Sequence, residues 1–560
     1  MAFASEITNT DLLSQRPQIH SDGGKIFLVW TEKAETNSEV FFSKSIDEGV
    51  NFSVPINLSN NQGHSAFPRM AINGNNIFVT WYDYSPGQSD VMFAKSLDSG
   101  ETFSTFNISD NISASYNPWI AADSNLVYLV WNDGGKSQEI VIDGKDRIID
   151  VLVGDSDIMF GVSYDKGQTF EIKNISNMPG DSINARMWIN GNNTYVTWTH
   201  FGNNSEVFFS KSSDSAFTFS DPINISKSDA NSFDSGINVY GKNIFMIWEE
   251  QKNKGAEIYF SKSSDGGNLF NQPISISGEF GNYIITRDTQ IDISYPHLYV
   301  VYYDELNSDI YLIHSPDMGE TFYDSINLSS SLGDSVLSQI ETKENKVFVI
   351  WNDNSDGDND VYLRESSDFG YTFGPKINLS DDQTDSDIFL LGPQVAISDN
   401  FINVIWENKT ESKSNLILKQ KPIENLPLSF SFSDKNIPII LEGYAIQPGE
   451  ETQIEIKLES LEKDWNFSKN HSLIVLDSKN NTVFQGMSSE VINGSAIHTV
   501  IFPMPGQYSL KLNFDDLISP SNNEIIITVV PEFEFGIFLI LSASISIVIF
   551  TKRIHPKIFR

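Results

Sequence analysis

A unit of roughly fifty residues recurs along most of the chain, and this repeat restricts the possible folds more than any other feature. Each unit contains an alternating apolar segment that ends in an aromatic residue, such as IFLVW ending at Trp30 or IFVTW ending at Trp81. Alternation with a period of two predicts a β-strand. The eight segments end at Trp30, Trp81, Trp131, Trp198, Trp248, Tyr302, Trp351 and Trp406. The pattern therefore predicts eight similar β units between residues 5 and 422.

Three further strands accompany this segment in most units. A shorter strand such as FPRMAI precedes it, and segments such as VFFSKS and VPINLS follow it. Four antiparallel strands per repeat match the blade of a β-propeller, which protects its sheet edges by closing into a ring. We therefore predict an all-β fold with an eight-bladed β-propeller of four-stranded blades, and a seven-bladed ring is the alternative. The eighth unit lacks its fourth strand, and SEITNT near the N-terminus resembles that strand, which predicts ring closure by the N-terminal segment.

The turn between the third and fourth strands carries the sharpest motif in the chain. It reads SLDSGETF at Ser96–Phe103 and SYDKGQTF at Ser163–Phe170, and seven near-regular copies occur. This motif resembles the Asp-box, or BNR repeat, of sialidases and related β-propeller proteins. The aspartate can accept hydrogen bonds from turn N–H groups, and the glycine can adopt positive φ. We therefore assign a structural role to Asp47, Asp98, Asp165, Asp214, Asp265, Asp317 and Asp368.

The resemblance to sialidases also implies an activity, which this chain matches only in part. Sialidases bind the substrate carboxylate with three arginines and use a tyrosine nucleophile together with acidic residues. Their catalytic domains have six blades, and their Arg-Ile-Pro entry motif is absent here. We therefore assign no catalytic residue. The sequence favours a non-catalytic surface protein for adhesion, for glycan or protein binding, or for envelope structure, and the alternative is a sialidase-type exo-glycoside hydrolase acting on acidic glycans.

One position of the innermost strands provides the candidate ligand site. When the eight units are aligned, this position lies near the mouth of the central channel and is occupied by Gln18, Arg69, Trp119, Arg186, Gly236, Gln290, Gln339 and Gln394. Arginine can bind a carboxylate through two hydrogen bonds, and tryptophan can stack on a sugar ring. The pattern predicts a pocket for an acidic glycan or peptide. The alternative is a solvated ring of side chains with the tryptophan packed between blades.

Acidic residues dominate the charge of the chain, with 74 acidic against 37 basic residues and a net charge of −37. Nucleic acid is therefore excluded as an expected partner, because phosphate binding requires a basic surface. Acidic residues recur where the hairpin loops leave and re-enter the strands. This pattern predicts that they cap the loops, and Ca²⁺ binding by some of them is the alternative. No motif requires a cofactor. The calcium candidate is the segment NDNSDGDND, with ligands Asn352, Asn354, Asp356, Asp358 and Asp360, although Leu363 occupies the place of the distal glutamate.

An insertion of about seventeen residues, Gly134 to Asp150, lengthens one hairpin of the third unit. We expect this hairpin to form a binding lip for a partner.

The repeat ends after Pro422, and the rest of the chain predicts two further regions. Residues 423–530 contain about eight strand-like segments with the spacing of an Ig-like β-sandwich. Residues 531–560 contain Pro531-Glu532-Phe533, the uncharged segment Phe535–Thr551 and a basic tail. This arrangement resembles the archaeal PEF-type C-terminal sorting signal, which implies processing by an archaeosortase-like enzyme. The uncharged segment predicts one C-terminal transmembrane helix, with the basic tail inside the cell and the preceding residues outside.

Two further features agree with an extracellular location. Asn-x-Ser/Thr sequons such as Asn51, Asn107 and Asn224 recur along the chain, so we expect a glycoprotein. Ala2-Phe3-Ala4 has the small-x-small form of a signal-peptide cleavage site, so we expect most of a signal peptide to lie upstream of Met1.

Overall fold

A computed structural model provides the coordinates, and all of its regular elements are β-strands. In the repeat region it describes residues 3–8, 12–34, 36–85, 88–111, 113–142, 147–252, 255–278, 289–304, 306–355, 357, 359–380, 385–386, 392–409 and 413–423. In the C-terminal region it describes residues 428–432, 441–442, 451–458, 471–477, 482–488, 495–501, 506–514, 524–529 and 546–549. The chain divides into two compact units, Met1–Pro422 and Ile423–Arg560.

The first compact unit, Met1–Pro422, begins with five strands that belong to its largest sheet. They are β1 (Phe3–Glu6), β2 (Leu13–Asp22), β3 (Lys25–Lys33), β4 (Ser38–Ser45) and β5 (Ile56–Asn57).

Six four-stranded antiparallel sheets follow in chain order. The first is β6 (Ser65–Asn73), β7 (Asn76–Asp83), β8 (Asp90–Ser96) and β9 (Ser104–Asn107). The second is β10 (Ser115–Asp123), β11 (Leu126–Ile142), β12 (Arg147–Ser163) and β13 (Glu171–Asn174). The third is β14 (Asp181–Asn190), β15 (Asn193–Phe201), β16 (Ser205–Ser212) and β17 (Ile223–Asn224). The fourth is β18 (Ser232–Tyr240), β19 (Asn243–Gln251), β20 (Ala256–Ser263) and β21 (Ile274–Ser275). The fifth is β22 (Gln290–Ser294), β23 (His297–Asp304), β24 (Asp309–Ser315) and β25 (Ile326–Asn327). The sixth is β26 (Ser335–Lys343), β27 (Lys346–Asp353), β28 (Asp360–Ser366) and β29 (Ile377–Asn378).

The unit ends with β30 (Asp385–Ser386), β31 (Gln394–Ile397), β32 (Phe401–Lys409) and β33 (Ser414–Pro422), which share one sheet with β1 to β5. The two halves of this sheet are joined by a single parallel pair, Leu13 and Ser414. Strand β1 pairs antiparallel with β33, with Phe3 opposite Gln420 and Glu6 opposite Ile417. The N-terminal segment therefore completes the last group of strands, as its sequence predicts.

The innermost strands of successive sheets contact one another in chain order. Among the described residues, β2 contacts β6, and the series continues through β10, β14, β18, β22, β26 and β31 before it returns to β2. An all-β unit of mostly four-stranded antiparallel sheets whose inner strands enclose a common axis is a multi-blade β-propeller.

The cores lie between neighbouring sheets, which explains why the second strand of each unit is almost continuously apolar. Strand β3 packs Phe27 and Val29 against Val79 and Trp81 of β7. The tryptophans that end these segments, including Trp81, are at most 3% exposed. Burying a large apolar side chain contributes about 1.5–3 kcal/mol, so every interface between sheets has a strong apolar anchor.

The described residues of the second unit form two sheets. Their strands are β34 (Leu428–Phe432), β35 (Leu441–Glu442), β36 (Glu451–Leu458), β37 (His471–Asp477), β38 (Thr482–Ser488), β39 (Ser495–Ile501), β40 (Gly506–Phe514), β41 (Glu524–Val529) and β42 (Ser546–Ile549). One sheet has the order β35-β34-β36-β39, and the other has the order β38-β37-β40-β41-β42. Their arrangement as an Ig-like sandwich stays a prediction.

Most of the predicted membrane segment, Phe535–Thr551, lies outside the described residues, as do Pro531-Glu532-Phe533 and the basic tail. The four described residues of that segment, Ser546–Ile549, form β42 and pair in parallel with β41. In the part of the chain that the structure describes, no helix has the length and hydropathy that a membrane crossing needs.

Candidate functional site

The candidate site lies along the innermost strands, where a backbone irregularity recurs. Six of these strands pair with their neighbours through a register shift, as between Ala66 and Arg69 or between Tyr116 and Trp119. The residue two positions before the aligned position has a left-handed backbone, with φ of 55° at Phe67 and 49° at Asn117. β-Bulges of this kind re-aim the side chains that follow them and are frequent beside binding sites.

Arg69, Trp119 and Arg186 form a continuous stack. The guanidinium carbon of Arg69 lies 4.5 Å from the centroid of the Trp119 ring, and that of Arg186 lies 4.7 Å from it. Strand β10, which carries Trp119, contacts β6 on one side and β14 on the other, so the strands that carry the two arginines flank the strand of the indole. Each contact has cation–π geometry. Both guanidinium groups lie over the one indole ring, so Trp119 positions the two arginines. Stacking of Trp119 on a sugar ring stays a prediction.

The stack continues through two of the predicted glutamines. Arg69 donates from Nη1 to Gln18 Oε1 at 3.0 Å, and Gln18 Nε2 donates to Gln394 Oε1 at 3.0 Å. Burial, together with the positive charge of Arg186, lowers the pKa of Arg69 to about 9. Arg69 therefore remains a cation at neutral pH, but it is a poorly solvated one.

The other three aligned residues lie on the remaining inner strands. Gln290 accepts a hydrogen bond from the backbone N–H of Ile340 at 3.4 Å, which connects β22 to β26. A methyl group at Gly236 would lie 2.9 Å from Cγ1 of Ile247, so this position has no room for a side chain without movement of the neighbouring core. Gln339 is half-buried on β26.

Sequence reasoning missed two carboxyl groups on the same strands. Asp292 follows Gln290 by two residues on β22, and Glu341 follows Gln339 by two residues on β26. Burial raises the pKa of Asp292 to about 6. Burial and the negative charge of Asp292 raise the pKa of Glu341 to about 8. Both residues follow an aligned glutamine by two positions, so the period of a strand could have identified them. Acidic residues are too common in this sequence for the pattern to single them out.

A second arginine–aromatic pair, also missed, lies at the bulges. The guanidinium carbon of Arg16 lies 3.6 Å from the centroid of the Phe67 ring. The backbone N–H of Arg16 donates to Glu407 Oε1 at 2.5 Å. Arg16 and Phe67 both have left-handed backbones, so the bulges of β2 and β6 bring these two side chains together.

The recurring acids at the hairpin loops accept hydrogen bonds from the loops themselves. Asp83 accepts from Ser65 Oγ at 2.6 Å, from Asn61 Nδ2 at 2.7 Å and from Trp81 Nε1 at 3.3 Å. Asp353 is held in the same way by Ser331, Ser335 and Trp351. These contacts are what loop capping predicts.

The calcium candidate is described only in part, because Asp356 and Asp358 lie outside the described residues. Asn354 Oδ1 accepts from the backbone N–H of Asp334 at 2.7 Å, and Asp360 Oδ1 accepts from Ser380 Oγ at 2.8 Å. No group of three or more acidic or histidine residues suited to a metal occurs within the described ranges. Calcium binding at Asn352 to Asp360 stays a prediction.

The insertion of the third unit forms the extended part of a long hairpin. Strands β11 and β12 are each 17 residues long, and their pairing runs as far as Ile142 opposite Arg147. Residues 143–146 lie outside the described residues.

The Asp-box turns lie away from the arginine stack, at the far ends of the inner strands. In the turn of the β6 sheet, for example, Ser99 N–H donates to Asn75 O in the turn after β6. In the next sheet, Asp165 Oδ1 accepts from Ser163 Oγ at 2.7 Å and from Thr169 N–H at 2.9 Å, while Thr169 Oγ1 donates to Oδ2 at 2.7 Å. Matching bonds occur at Asp47, Asp98, Asp214, Asp265, Asp317 and Asp368.

The aspartate bonds of these turns favour the ionised carboxylate. Hydrogen bonds from the backbone and the side chain of Asn51 hold the pKa of Asp47 at about 2, and those from Thr218 do the same for Asp214. The structural role of these aspartates stays a prediction.

No family model and no curated protein matches the chain. Among similar solved structures, a PL25 ulvan lyase has 12% identity and a TM-score of 0.40, with 62% of this chain and 90% of that chain covered. The phage phi92 endosialidase has 9% identity and a TM-score of 0.36, with 98% and 90% covered. The intramolecular trans-sialidase from Ruminococcus gnavus has 13% identity and a TM-score of 0.34, with 64% and 94% covered. At such low TM-scores, none of these likenesses carries an argument about chemistry.

Proposed function

We propose that residues 1–422 form an eight-bladed β-propeller that binds an acidic glycan at its channel mouth without cleaving it. The observation that carries this proposal is the stack of Arg69 and Arg186 on Trp119. Two guanidinium groups on one indole repel each other, and a bound anion would relieve that repulsion. Arginine also binds carboxylate and sulfate groups through paired hydrogen bonds.

The surroundings of Arg69 support an anionic ligand. Its hydrogen-bond partner Gln18 is neutral, and no ion pair joins Arg69 to an acid within the described residues. This is unexpected in a chain with 74 acidic residues. A poorly solvated cation without a counter-ion is costly, and its cost falls when an anion binds.

The rest of the proposal follows from the sequence. Residues 423–530 would form an Ig-like stalk, and residues 531–560 would anchor the protein to the outer face of the cell membrane or pass it to an archaeosortase-like enzyme. Ca²⁺ is an optional ligand of the Asn352–Asp360 loop, and the hairpin that contains Gly134–Asp150 would contact a partner.

Binding and turnover measured together test this function. The purified full-length chain is applied to a glycan array that contains matched acidic and neutral oligosaccharides, and its turnover of a fluorogenic sialoside is measured in parallel. We expect binding restricted to acidic glycans, a loss of about tenfold or more in Arg69→Met and Arg186→Met, and no turnover. Lys242→Met is the matched control, since Lys242 is exposed in a turn. Equal binding of neutral glycans would refute the proposed site, and turnover that Arg69→Met abolishes would make the protein a glycoside hydrolase.

A further inference from the structure

A ring of left-handed residues lies two positions before the aligned position of the inner strands. Its described members have φ between 47° and 64°, and they are Arg16, Phe67, Asn117, Asn184, Asp234, Leu337 and Gly392. The eighth member, Asp288, lies outside the described residues. A left-handed backbone costs about 1–2 kcal/mol for bulky residues such as Arg16, Phe67 and Leu337. Backbone strain of this kind clusters where a fold holds side chains against a ligand.

Two members of this ring, Asn117 and Asn184, belong to the strands of the arginine stack. Asn117 precedes Trp119 by two residues on β10, and Asn184 precedes Arg186 by two residues on β14. Strands β10 and β14 contact each other directly. The two asparagines therefore lie on neighbouring strands, beside the residues that the proposed function uses.

The side chains of the ring lie at the hairpin end of the inner strands, outside the cores between sheets. The residues that follow the two asparagines, Pro118 and Ala185, are buried, whereas the asparagines themselves are half-buried. At the same ring position on β2 and β6, Arg16 and Phe67 contact each other across neighbouring strands, with 3.6 Å between guanidinium carbon and ring centroid. The bulges thus bring ring side chains together at a surface that solvent reaches.

The amide groups of Asn117 and Asn184 have no partner in the part of the chain that the structure describes. Neither side chain makes a hydrogen bond with a described residue, and the amide nitrogen and oxygen atoms of both are accessible to solvent. Asn61 and Asn354, by contrast, bond to the hairpin loops. Asparagine tolerates a left-handed backbone, which accounts for the residue type but not for the open amide. Each amide offers two donor hydrogens and an acceptor oxygen.

We propose that Asn117 and Asn184 bind hydroxyl groups of the same acidic sugar whose carboxylate contacts Arg69 and Arg186. This inference rests on the proposed function and specifies its ligand as a hydroxyl-bearing acidic sugar, in preference to an acidic peptide. A guanidinium group only donates hydrogen bonds, whereas a sugar hydroxyl both donates and accepts, so amides complement the arginines. The rigid strands hold both amides in place before the ligand arrives, which lowers the entropic cost of binding.

D-Glucuronate and cyclohexanecarboxylate provide a direct test. Both carry one carboxylate on a six-membered ring, but only glucuronate carries hydroxyl groups. We titrate each acid into the full-length chain and follow binding by ligand-observed NMR. We expect glucuronate to bind about tenfold more tightly, the effect of two net hydrogen bonds.

Glycine variants isolate the two amides, because glycine keeps a left-handed backbone without strain. Asn117→Gly and Asn184→Gly should each weaken glucuronate binding by about threefold, and the double variant should lose the preference for glucuronate. Asn192→Gly is the matched control, since Asn192 is exposed in the turn between β14 and β15, and it should retain the full preference. Arg69→Met should weaken the binding of both acids, because both present a carboxylate.

The outcomes separate this inference from the proposed function. Equal affinity of the wild-type chain for the two acids would overturn the role of the asparagines and leave carboxylate binding by the arginines standing. A preference that survives in the double glycine variant would also overturn it, because other groups would then bind the hydroxyls. Failure of both acids to bind would overturn this inference, whereas the glycan array decides the function separately.

Discussion

Lys95 Nζ donates a hydrogen bond of 3.0 Å to the backbone carbonyl oxygen of Gly167, which lies in the Asp-box turn of the following sheet. The same kind of hydrogen bond joins other pairs of neighbouring sheets in residues 1–422. Equivalent donors and acceptors are Lys44 to Ser99, Lys211 to Gly266 and Gln420 to Glu48. The last of these joins β33 to the first Asp-box turn, so a hydrogen bond of the same kind also closes the ring.

The first prediction concerns this contact between sheets. Lys95 is 6% exposed, so its removal leaves a carbonyl group without its charged donor. We expect Lys95→Met to lower the free energy of unfolding by about 1–3 kcal/mol in urea denaturation. Lys242→Met, at an exposed turn, should change it by less than about 0.5 kcal/mol. Equal effects of the two substitutions would mean that the cross-sheet bond does not stabilise the fold.

The second prediction concerns the glycines of the Asp-box turns. Gly319 has φ of 80°, and a methyl group there would lie 2.5 Å from Cζ of Phe260. Gly74 has φ of 60°, but a methyl group there would meet open space. Gly74→Ala should lower the free energy of unfolding by about 1–2 kcal/mol, because alanine is strained in a left-handed backbone. Gly319→Ala should lower the free energy of unfolding by the same amount and by a further amount of about 1–3 kcal/mol, because the methyl group overlaps Phe260. Thermal unfolding of both variants measures the difference. Identical losses would show that Phe260 moves aside freely.

The sequence predicted the repeat because every unit repeats the same physical requirement. A second strand buried between two sheets must be apolar, and an Asp-box turn must have a small residue with positive φ. The aligned position of the inner strands could also be predicted from the sequence. A register shared by eight strands brings Arg69, Trp119 and Arg186 onto neighbouring strands.

Other features depend on contacts across sheets that no local pattern encodes. In the third unit, Val162 replaces the lysine of the third strand, and Lys173 on β13 donates to Ala216 O instead. The contact of both Arg69 and Arg186 with one indole ring likewise becomes visible only in the folded chain. Acids are too common in this sequence for any pair to be selected by composition.

A third prediction concerns pH. His297 Nδ1 and His314 Nε2 lie 2.8 Å apart, and burial lowers the pKa of each ring to about 4 from 6.5. Between these two values the unfolded chain binds more protons than the folded chain. The stabilisation is therefore complete above pH 6.5 and is lost as the pH falls towards 4.

Urea denaturation across this window tests the pair. We expect the stability of His314→Gln relative to wild type to rise as the pH falls through this window, because the variant lacks one proton-excluding ring, whereas the raised pKa values of Asp292 and Glu341 act in the opposite direction and equally in both chains. His64→Gln is the control, because His64 is exposed. Asp47 and Asp214, with pKa values lowered from 3.8 to about 2, affect the stability mainly below this window and do so equally in the wild type and both variants. An unchanged slope in His314→Gln would contradict the assignment.

The last prediction concerns Trp119 itself. If its role is to position two guanidinium groups, an aromatic replacement should retain part of that role and an aliphatic one should lose it. Cation–π contacts with poorly solvated cations are worth about 2 kcal/mol or more each, and loss of the indole also leaves a cavity. We expect Trp119→Leu to lower the free energy of unfolding by about 3 kcal/mol and to weaken acidic-glycan binding by about tenfold. Trp119→Phe should lose less of both, because an aromatic ring remains for Arg69 and Arg186 to contact. If Trp119→Phe and Trp119→Leu lose binding equally, the indole edge contacts the ligand directly, and the role of Trp119 as a spacer between the arginines is wrong.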